Sequence, residues 1–264
     1  WVGLDVSPDG SRIAAGIMGP RTQSPDIWLY DASGGAGVPF AADSTLLEFA
    51  PVWSPDGTRI AFITGNRNLQ LAVKAAAGGK ATILLESPDA NLMPSSWSPD
   101  GVSVLYDRET RDPEPREEAW IVSTRGDPAP HKLIPGDANA SGAQLSPDGR
   151  FIVYTSDKSG QYELYLQAFP LAGPLYKVSV GGIDVPGDWI RGGREIIYYG
   201  LDKKAHSVAV EIKHGTPTLG RPVELGYLAN SGSDTWDIAP SGRALVLIRD
   251  PEENPTPLTL LTNW

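Results

Sequence analysis

The chain has 264 residues, a formal charge of −10 at pH 7 and no cysteine. The acidic balance argues against nucleic acid and anionic membrane as partners, since both need a positive field. Without cysteine there is no disulfide, thiolate nucleophile or cysteine-ligated zinc, and no apolar run is long enough to cross a bilayer as a helix.

Along the chain an apolar residue is followed, again and again, by a Ser-Pro-Asp-Gly turn and then a hydrophobic strand. Val6-Ser7-Pro8-Asp9-Gly10 is the first copy, and Asp26 to Tyr30 alternates as a later strand of that repeat. The second repeat reads as four strands: Phe49 to Trp53, Arg59 to Ile63, Leu69 to Val73 and Ala81 to Leu85, with Ser54-Pro55-Asp56-Gly57 as its first turn. In this turn Pro presets φ, Asp bonds the backbone ahead, and Gly accepts positive φ. The third repeat has Trp97-Ser98-Pro99-Asp100-Gly101 and a strand over Glu118 to Val122; the charged run from Arg108 to Glu118 between them reads as an extended solvated loop. The fourth has Leu145-Ser146-Pro147-Asp148-Gly149 and a strand over Glu163 to Gln167. Two worn copies follow, Trp189-Ile190-Arg191-Gly192-Gly193, with a strand over Ser207 to Glu211, and Ile238-Ala239-Pro240-Ser241-Gly242.

The serine position of the turn falls at 7, 54, 98, 146, 190 and 239, a spacing of 44 to 49 residues. That is the length of one four-stranded propeller blade. The expected fold is therefore all-β, a single six-bladed β-propeller domain over 1–264, with blades near 1–46, 47–90, 91–138, 139–182, 183–231 and 232–264. The last repeat offers only three strands, Thr235 to Ile238, Arg243 to Ile248 and Leu258 to Thr262. The chain reads as a piece of a longer protein whose missing outer strand lies upstream of Trp1. An open edge in blade six would then invite pairing with a second copy.

A propeller's natural site is its central channel. The residue before each turn is apolar and packs between blades, so alternation turns the residue before that toward the axis. Those residues are Asp5, Val52, Ser96, Gln144, Asp188 and Asp237. Asp5, Asp188 and Asp237, with Ser96 and Gln144, form the expected metal set. Several oxygen ligands suit a divalent cation, Ca²⁺ first. A second tier at the starts of the inner strands comprises Glu48, Asn91, Asn139, Asp184 and Asp234, with Trp1 and Trp236 as aromatic walls. The repeated aspartates Asp9, Asp56, Asp100 and Asp148 read as turn formers. His131, His206 and His214 are expected on different blades, where they cannot converge. No Gly-x-Ser-x-Gly elbow and no kinase signature is present.

The Ser-Pro-Asp-Gly repeats resemble the WD40-like Pro-Asp repeats of TolB-type propellers. The segments 24–31, 159–170, 178–182 and 258–264 look closest to the propeller that follows the membrane anchor of many bacterial serine/threonine kinases. The resemblance implies a binding or sensor module outside the cytoplasmic membrane of a bacterium, with a protein or small-molecule ligand at the channel mouth and no membrane contact of its own. The alternative is a divalent-metal-dependent hydrolase of the lactonase or phosphotriesterase kind. Asp5, Asp188 and Asp237 would then hold the metal, and Glu48 or Asp184 would serve as base.

Overall fold

The computed structural model describes residues 3–18, 24–111, 114–126 and 129–226, together with the backbone of two later strands. Every regular element among them is a β-strand. The first sheet is β1 (Leu4–Val6), β2 (Arg12–Met18), β3 (Pro25–Asp31) and β4 (Val38–Ala41); the second is β5 (Leu47–Trp53), β6 (Arg59–Gly65), β7 (Leu69–Ala75) and β8 (Thr82–Glu86). The third comprises β9 (Ala90–Trp97), β10 (Ser103–Thr110), β11 (Arg116–Ser123) and the two-residue β12 (His131–Lys132). The fourth is β13 (Ala140–Leu145), β14 (Phe151–Ser156), β15 (Glu163–Ala168) and β16 (Ala172–Lys177). The fifth has β17 (Ile183–Ile190), β18 (Glu195–Gly200) and β19 (Ala205–Lys213), and two short strands, β20 (Thr216–Leu219) and β21 (Val223–Gly226), divide the length of β19 between them. The sixth is described as β22 (Thr235–Ile238) paired with β23 (Ala244–Leu247). Each of the first four is an antiparallel meander in which neighbours in sequence are neighbours in the sheet, and the fifth keeps that order from β17 to β20.

The chain divides into two compact units, 1–88 with 228–264, and 89–227. Both divisions fall between repeats. In the first unit β5 packs on β1, β2 and β3, and β22 runs beside β1, so the last repeat neighbours the first. In the second unit β13 lies against β9, β10 and β11, and β17 against β13, β14 and β15. The third strand expected at 258–262, the open edge it implied, Trp1 and Asp234 lie outside the described residues.

Burial explains the strand composition. Ile60, Ala61, Phe62 and Ile63 in β6 are all at most 1% exposed, so residues of both alternating sets are buried, as in a sheet without a solvated face. Alternation then sorts side chains between two cores rather than between core and water. Ile152 and Tyr154 join Leu105, Ala119 and Ala143 on one face of the fourth sheet, while Phe151 and Val153 join Ile196, Tyr198 and Val208 on the other. A sheet cut out alone would expose both faces.

Each Ser-Pro-Asp-Gly turn is a closed set of hydrogen bonds. In the second repeat the buried Ser54 Oγ donates to Asp56 Oδ1 at 2.6 Å and accepts from Arg59 N at 2.9 Å, while Gly57 N donates to Ser54 O at 2.8 Å. The first, third and fourth turns repeat the serine–aspartate bond at 2.6 Å. Asp56 is held at a pKa of about 2, first by the Ser54 hydroxyl and then by the Thr58 amide. The aspartates are thus turn formers, as expected. Ser54→Ala deletes a buried hydroxyl serving two partners and is expected to cost about 1–2 kcal/mol, read as a Tm lower by about 3–6 °C in a calorimetric melt. Because a depressed carboxyl pKa stabilises above about pH 4 and loses that contribution as pH falls toward 2, the variant's deficit is expected to shrink in acid.

The run from Arg108 to Glu118 is not a solvated loop. β10 and β11 pair continuously from Ser103↔Ser123 to Thr110↔Arg116, so the charged residues form the end of a long hairpin. Arg108 is tied to Asp89 at 2.6 Å, and Glu118 receives Lys132 at 2.9 Å, which is how a ladder accommodates that charge density. The histidines do not lie on three different blades: His131 is in β12, whereas His206 and His214 both belong to the fifth repeat. His206 stacks on Tyr198 at 5.2 Å and bonds Asp202.

Candidate functional site

The polar residues expected to line an axis make hydrogen bonds to the next sheet. Asp5 Oδ2 accepts from Trp53 N at 2.5 Å, and Trp53 Nε1 donates to Asp5 O at 3.2 Å. Ser96 Oγ donates to Ala143 O at 2.8 Å, with Ser95 Oγ on the same carbonyl at 3.2 Å. Gln144 donates through Nε2 to Asp188 Oδ1 and accepts from Trp189 N through Oε1. Three of the five described side chains of that row, Asp5, Ser96 and Gln144, therefore stitch one sheet's inner strand to the next. Asp237 is in β22 opposite Leu245. Asp5 and Asp237 belong to the first unit and Asp188 to the second. Among the described residues no three His, Asp or Glu side chains are grouped as a metal ion would need.

The second tier is also engaged. Glu48 is buried in β5 and accepts from Asp43 N at 2.8 Å; burial raises its pKa, with that amide and Lys74 opposing. Asp184 is ion-paired to Lys203 at 2.7 Å. Asn139 donates to both oxygens of Asp157 and accepts from Glu117 N at 3.0 Å. Asn91 stands opposite Glu109 in the ladder of β9 and β10.

That ladder leads to a strongly perturbed carboxyl group. Asp107, in β10, is pushed up to about 7, first by desolvation and then by the charges of Glu109 and Glu117; the Gly142 amide pulls the other way. Gly142 N donates to both Asp107 oxygens, at 3.0 and 2.9 Å. Gly142 has φ +61°, and a Cβ there would meet Pro186 at 2.4 Å. The position thus needs glycine both for its conformation and for the approach of β17. Glu109 and Glu117 are direct cross-strand partners, an arrangement of like charges that a sheet ordinarily avoids. Ser141 Oγ donates to Glu117 at 3.0 Å, and the Tyr162 hydroxyl bonds the same carboxylate, its pKa raised first by burial and then by Glu117 and Asp157. The result is a carboxylate-rich strand end on the second unit, where one group exchanges a proton near neutrality. Such an arrangement attracts basic groups.

Of the second tier expected at a channel rim, Asn91 and Asn139 lie beside this group; Glu109 and Glu117 fall in the charged run that reads as a loop from sequence, and Asp107 stands one residue before it. The alternation Leu105, Asp107, Glu109 facing Glu117 and Ala119 is the signal that finds them once the hairpin is paired.

Stacked meanders with self-contained turns and inner strands stitched sheet to sheet define a repeat protein of the propeller class. The family described as "TolB beta propeller domain" matches residues 33–260, and the chain belongs to that family. Among curated relatives, the Tol-Pal system protein TolB of Anaeromyxobacter dehalogenans is 30% identical over 202 residues, 70% of this chain and 45% of that protein. An "uncharacterized peptidase", YuxL of Bacillus subtilis, is 28% identical over 205 residues, 61% of this chain and 31% of that one. The chain thus spans less than half the length of either. TolB from Acinetobacter baumannii superimposes with a TM-score of 0.64 at 18% identity, covering 86% of this chain and 56% of that one. An oligogalacturonate lyase solved in complex with manganese gives 0.63 at 13%, covering 92% and 72%. Likeness at these identities is likeness of fold.

Proposed function

We propose that this chain is a non-catalytic binding or sensor propeller of a larger bacterial protein, working outside the cytoplasmic membrane and recognising its ligand through the acidic strand end of the second unit. The observation that carries this reading is the commitment of Asp5, Ser96 and Gln144 to sheet-to-sheet hydrogen bonds, which uses the inner-strand polar groups as fasteners. The 30% identity to a Tol-Pal protein supports it, and the finer likeness to propellers of membrane-anchored kinases belongs to the same proposal. The rival is the metal-dependent hydrolase, with a cation on Asp5, Asp188 and Asp237 and Glu48 or Asp184 as base.

Metal linkage separates the two. A cation at a hundredfold its Kd adds about 2.7 kcal/mol to stability. Melts in millimolar Ca²⁺ or Mn²⁺ and in EDTA are expected to coincide, and ester, phosphotriester and peptide substrates are expected to remain intact. A metal-dependent rise of several degrees, with turnover lost in Asp188→Asn and Asp237→Asn, would overturn the binding reading.

A further inference from the structure

The groove between the first and second sheets recurs between the fourth and fifth, filled in the one and open in the other. In the first unit Arg12 stands five residues after Ser7 and reaches across to the second sheet. Its guanidinium carbon lies 4.5 Å from the centroid of the Trp53 ring, and Nη2 donates to Gly57 O at 3.0 Å. One arginine thus covers the face of the tryptophan and bonds the neighbouring turn.

In the second unit the fourth and fifth sheets present matching positions. Trp189 corresponds to Trp53, and Gly193, four residues on, corresponds to Gly57. The backbone correspondence is close: a Cβ on Gly57 would lie 3.8 Å from Pro8, and one on Gly193 would lie 3.0 Å from Pro147. At the fifth residue after Ser146, however, stands Phe151, which is 3% exposed and packs into the core between these sheets. No guanidinium crosses the groove from that position, and a cavity of about 230 Å³ lies between Pro147, Phe151, Trp189, Gly193 and Ile212. A second difference accompanies it. Trp53 donates its indole N–H to Asp5 O, whereas Trp189 Nε1 is buried with no hydrogen-bond partner.

The cavity is smaller than the roughly 300–1,000 Å³ of a typical small-molecule site and has the scale of one long side chain. Trp189 and Gly193 border it, the counterparts of the ring and the turn residue that Arg12 uses in the first groove. A guanidinium uses both at once, whereas an ammonium makes only a point contact. The chain's charge of −10 favours a basic visitor. Asp148, which also borders the cavity, is already bonded by Ser146 and Arg150, so the ring and the carbonyl supply the directional contacts.

We propose that the groove between the fourth and fifth sheets receives an arginine side chain from a partner polypeptide, stacked on Trp189 and donating to Gly193 O as Arg12 does on Trp53 and Gly57. This rests on the reading of the chain as a binding module, and it adds a second point of recognition, separate from the acidic strand end, with the chemical class it takes.

The test follows the indole N–H resonances of ¹⁵N-tryptophan-labelled protein, with Trp189 assigned through Trp189→Phe. N-acetyl-arginine amide is expected to shift the Trp189 resonance saturably, with a Kd of about millimolar as befits a single side chain. N-acetyl-citrulline amide, of the same shape without the charge, is expected to leave it in place. Phe151→Arg, which supplies the missing guanidinium from within, is expected to abolish the response. No movement of the Trp189 resonance, an equal response to citrulline, or a response that persists in folded Phe151→Arg would each overturn the proposal. Should Phe151→Arg not fold, the arginine–citrulline comparison on the unaltered protein decides alone. These readouts are independent of the metal melts and substrate assays, so the groove can fail without the binding reading failing.

Discussion

Lys177→Met is expected to destabilise the second unit by about 3 kcal/mol at neutral pH, a loss of about 6–12 °C in Tm. The reason is Glu163, whose side chain is 0% exposed while that of Lys177 is 46% exposed. Burial pushes the Glu163 carboxyl upward, but hydrogen bonds from Lys177, Ser179 and Gln161, with the lysine charge, hold it below the ordinary glutamate range. Removing the lysine leaves an ionised carboxylate buried with two neutral donors. The charge, rather than the lost contact, sets the cost, so Glu163→Gln alone is expected to cost less, and Lys177→Met in the Glu163→Gln background should add little. The pH dependence has a definite sign. With its cation gone, the folded pKa of Glu163 rises above the unfolded value, so the deficit is full at high pH and narrows as falling pH protonates the group. Equal deficits at pH 4 and pH 8, or a double variant as unstable as the sum of the singles, would show that packing and not charge is responsible.

Asp107→Asn works in the opposite direction and is expected to stabilise the protein above neutrality. The Asp107 carboxyl is raised to about 7, so between about pH 4 and 7 the folded chain holds a proton that the unfolded chain has released. Stability contributed at this position is therefore present in acid and lost as pH rises through 7. The full shift corresponds to about 4 kcal/mol, an upper bound; partial solvent contact reduces the expected gain to about 1–3 kcal/mol at pH 8. Asparagine keeps an acceptor for the Gly142 amide and is neutral throughout. Melts of the two proteins should coincide near pH 4 and separate by several degrees at pH 8. Curves that stay together across that range would mean that Asp107 is not held against its own charge.

The fold was largely legible because the turn signal is local and chemical. A serine, an aspartate and a glycine at fixed offsets close their own hydrogen bonds, so each copy marks a hairpin regardless of what surrounds it. The split outer edge of the fifth sheet, with β20 and β21 sharing β19, carries no comparable mark, and the two-residue β12 is too short to show alternation. The site was legible only in part. Alternation selected Asp5, Ser96 and Gln144 as polar residues of the inner strands, but whether such a side chain faces solvent, an ion or a neighbouring amide depends on the spacing between sheets. Asp107 stayed hidden because its pKa comes first from burial, which no local pattern reveals, and then from Glu109 and Glu117, which the hairpin brings together.

The worn turn at Trp189 to Gly193 bears on how such a molecule diversifies. It has lost the serine and aspartate, Arg191 takes φ +51°, and yet Gly193 N still closes on Ile190 O at 3.1 Å and β17 and β18 still pair. Glycine alone sustains this corner. The hairpin tips can therefore drift in chemistry, one blade at a time, without disturbing the layers that hold the strands, and a duplicated scaffold acquires recognition at whichever corner relaxes first.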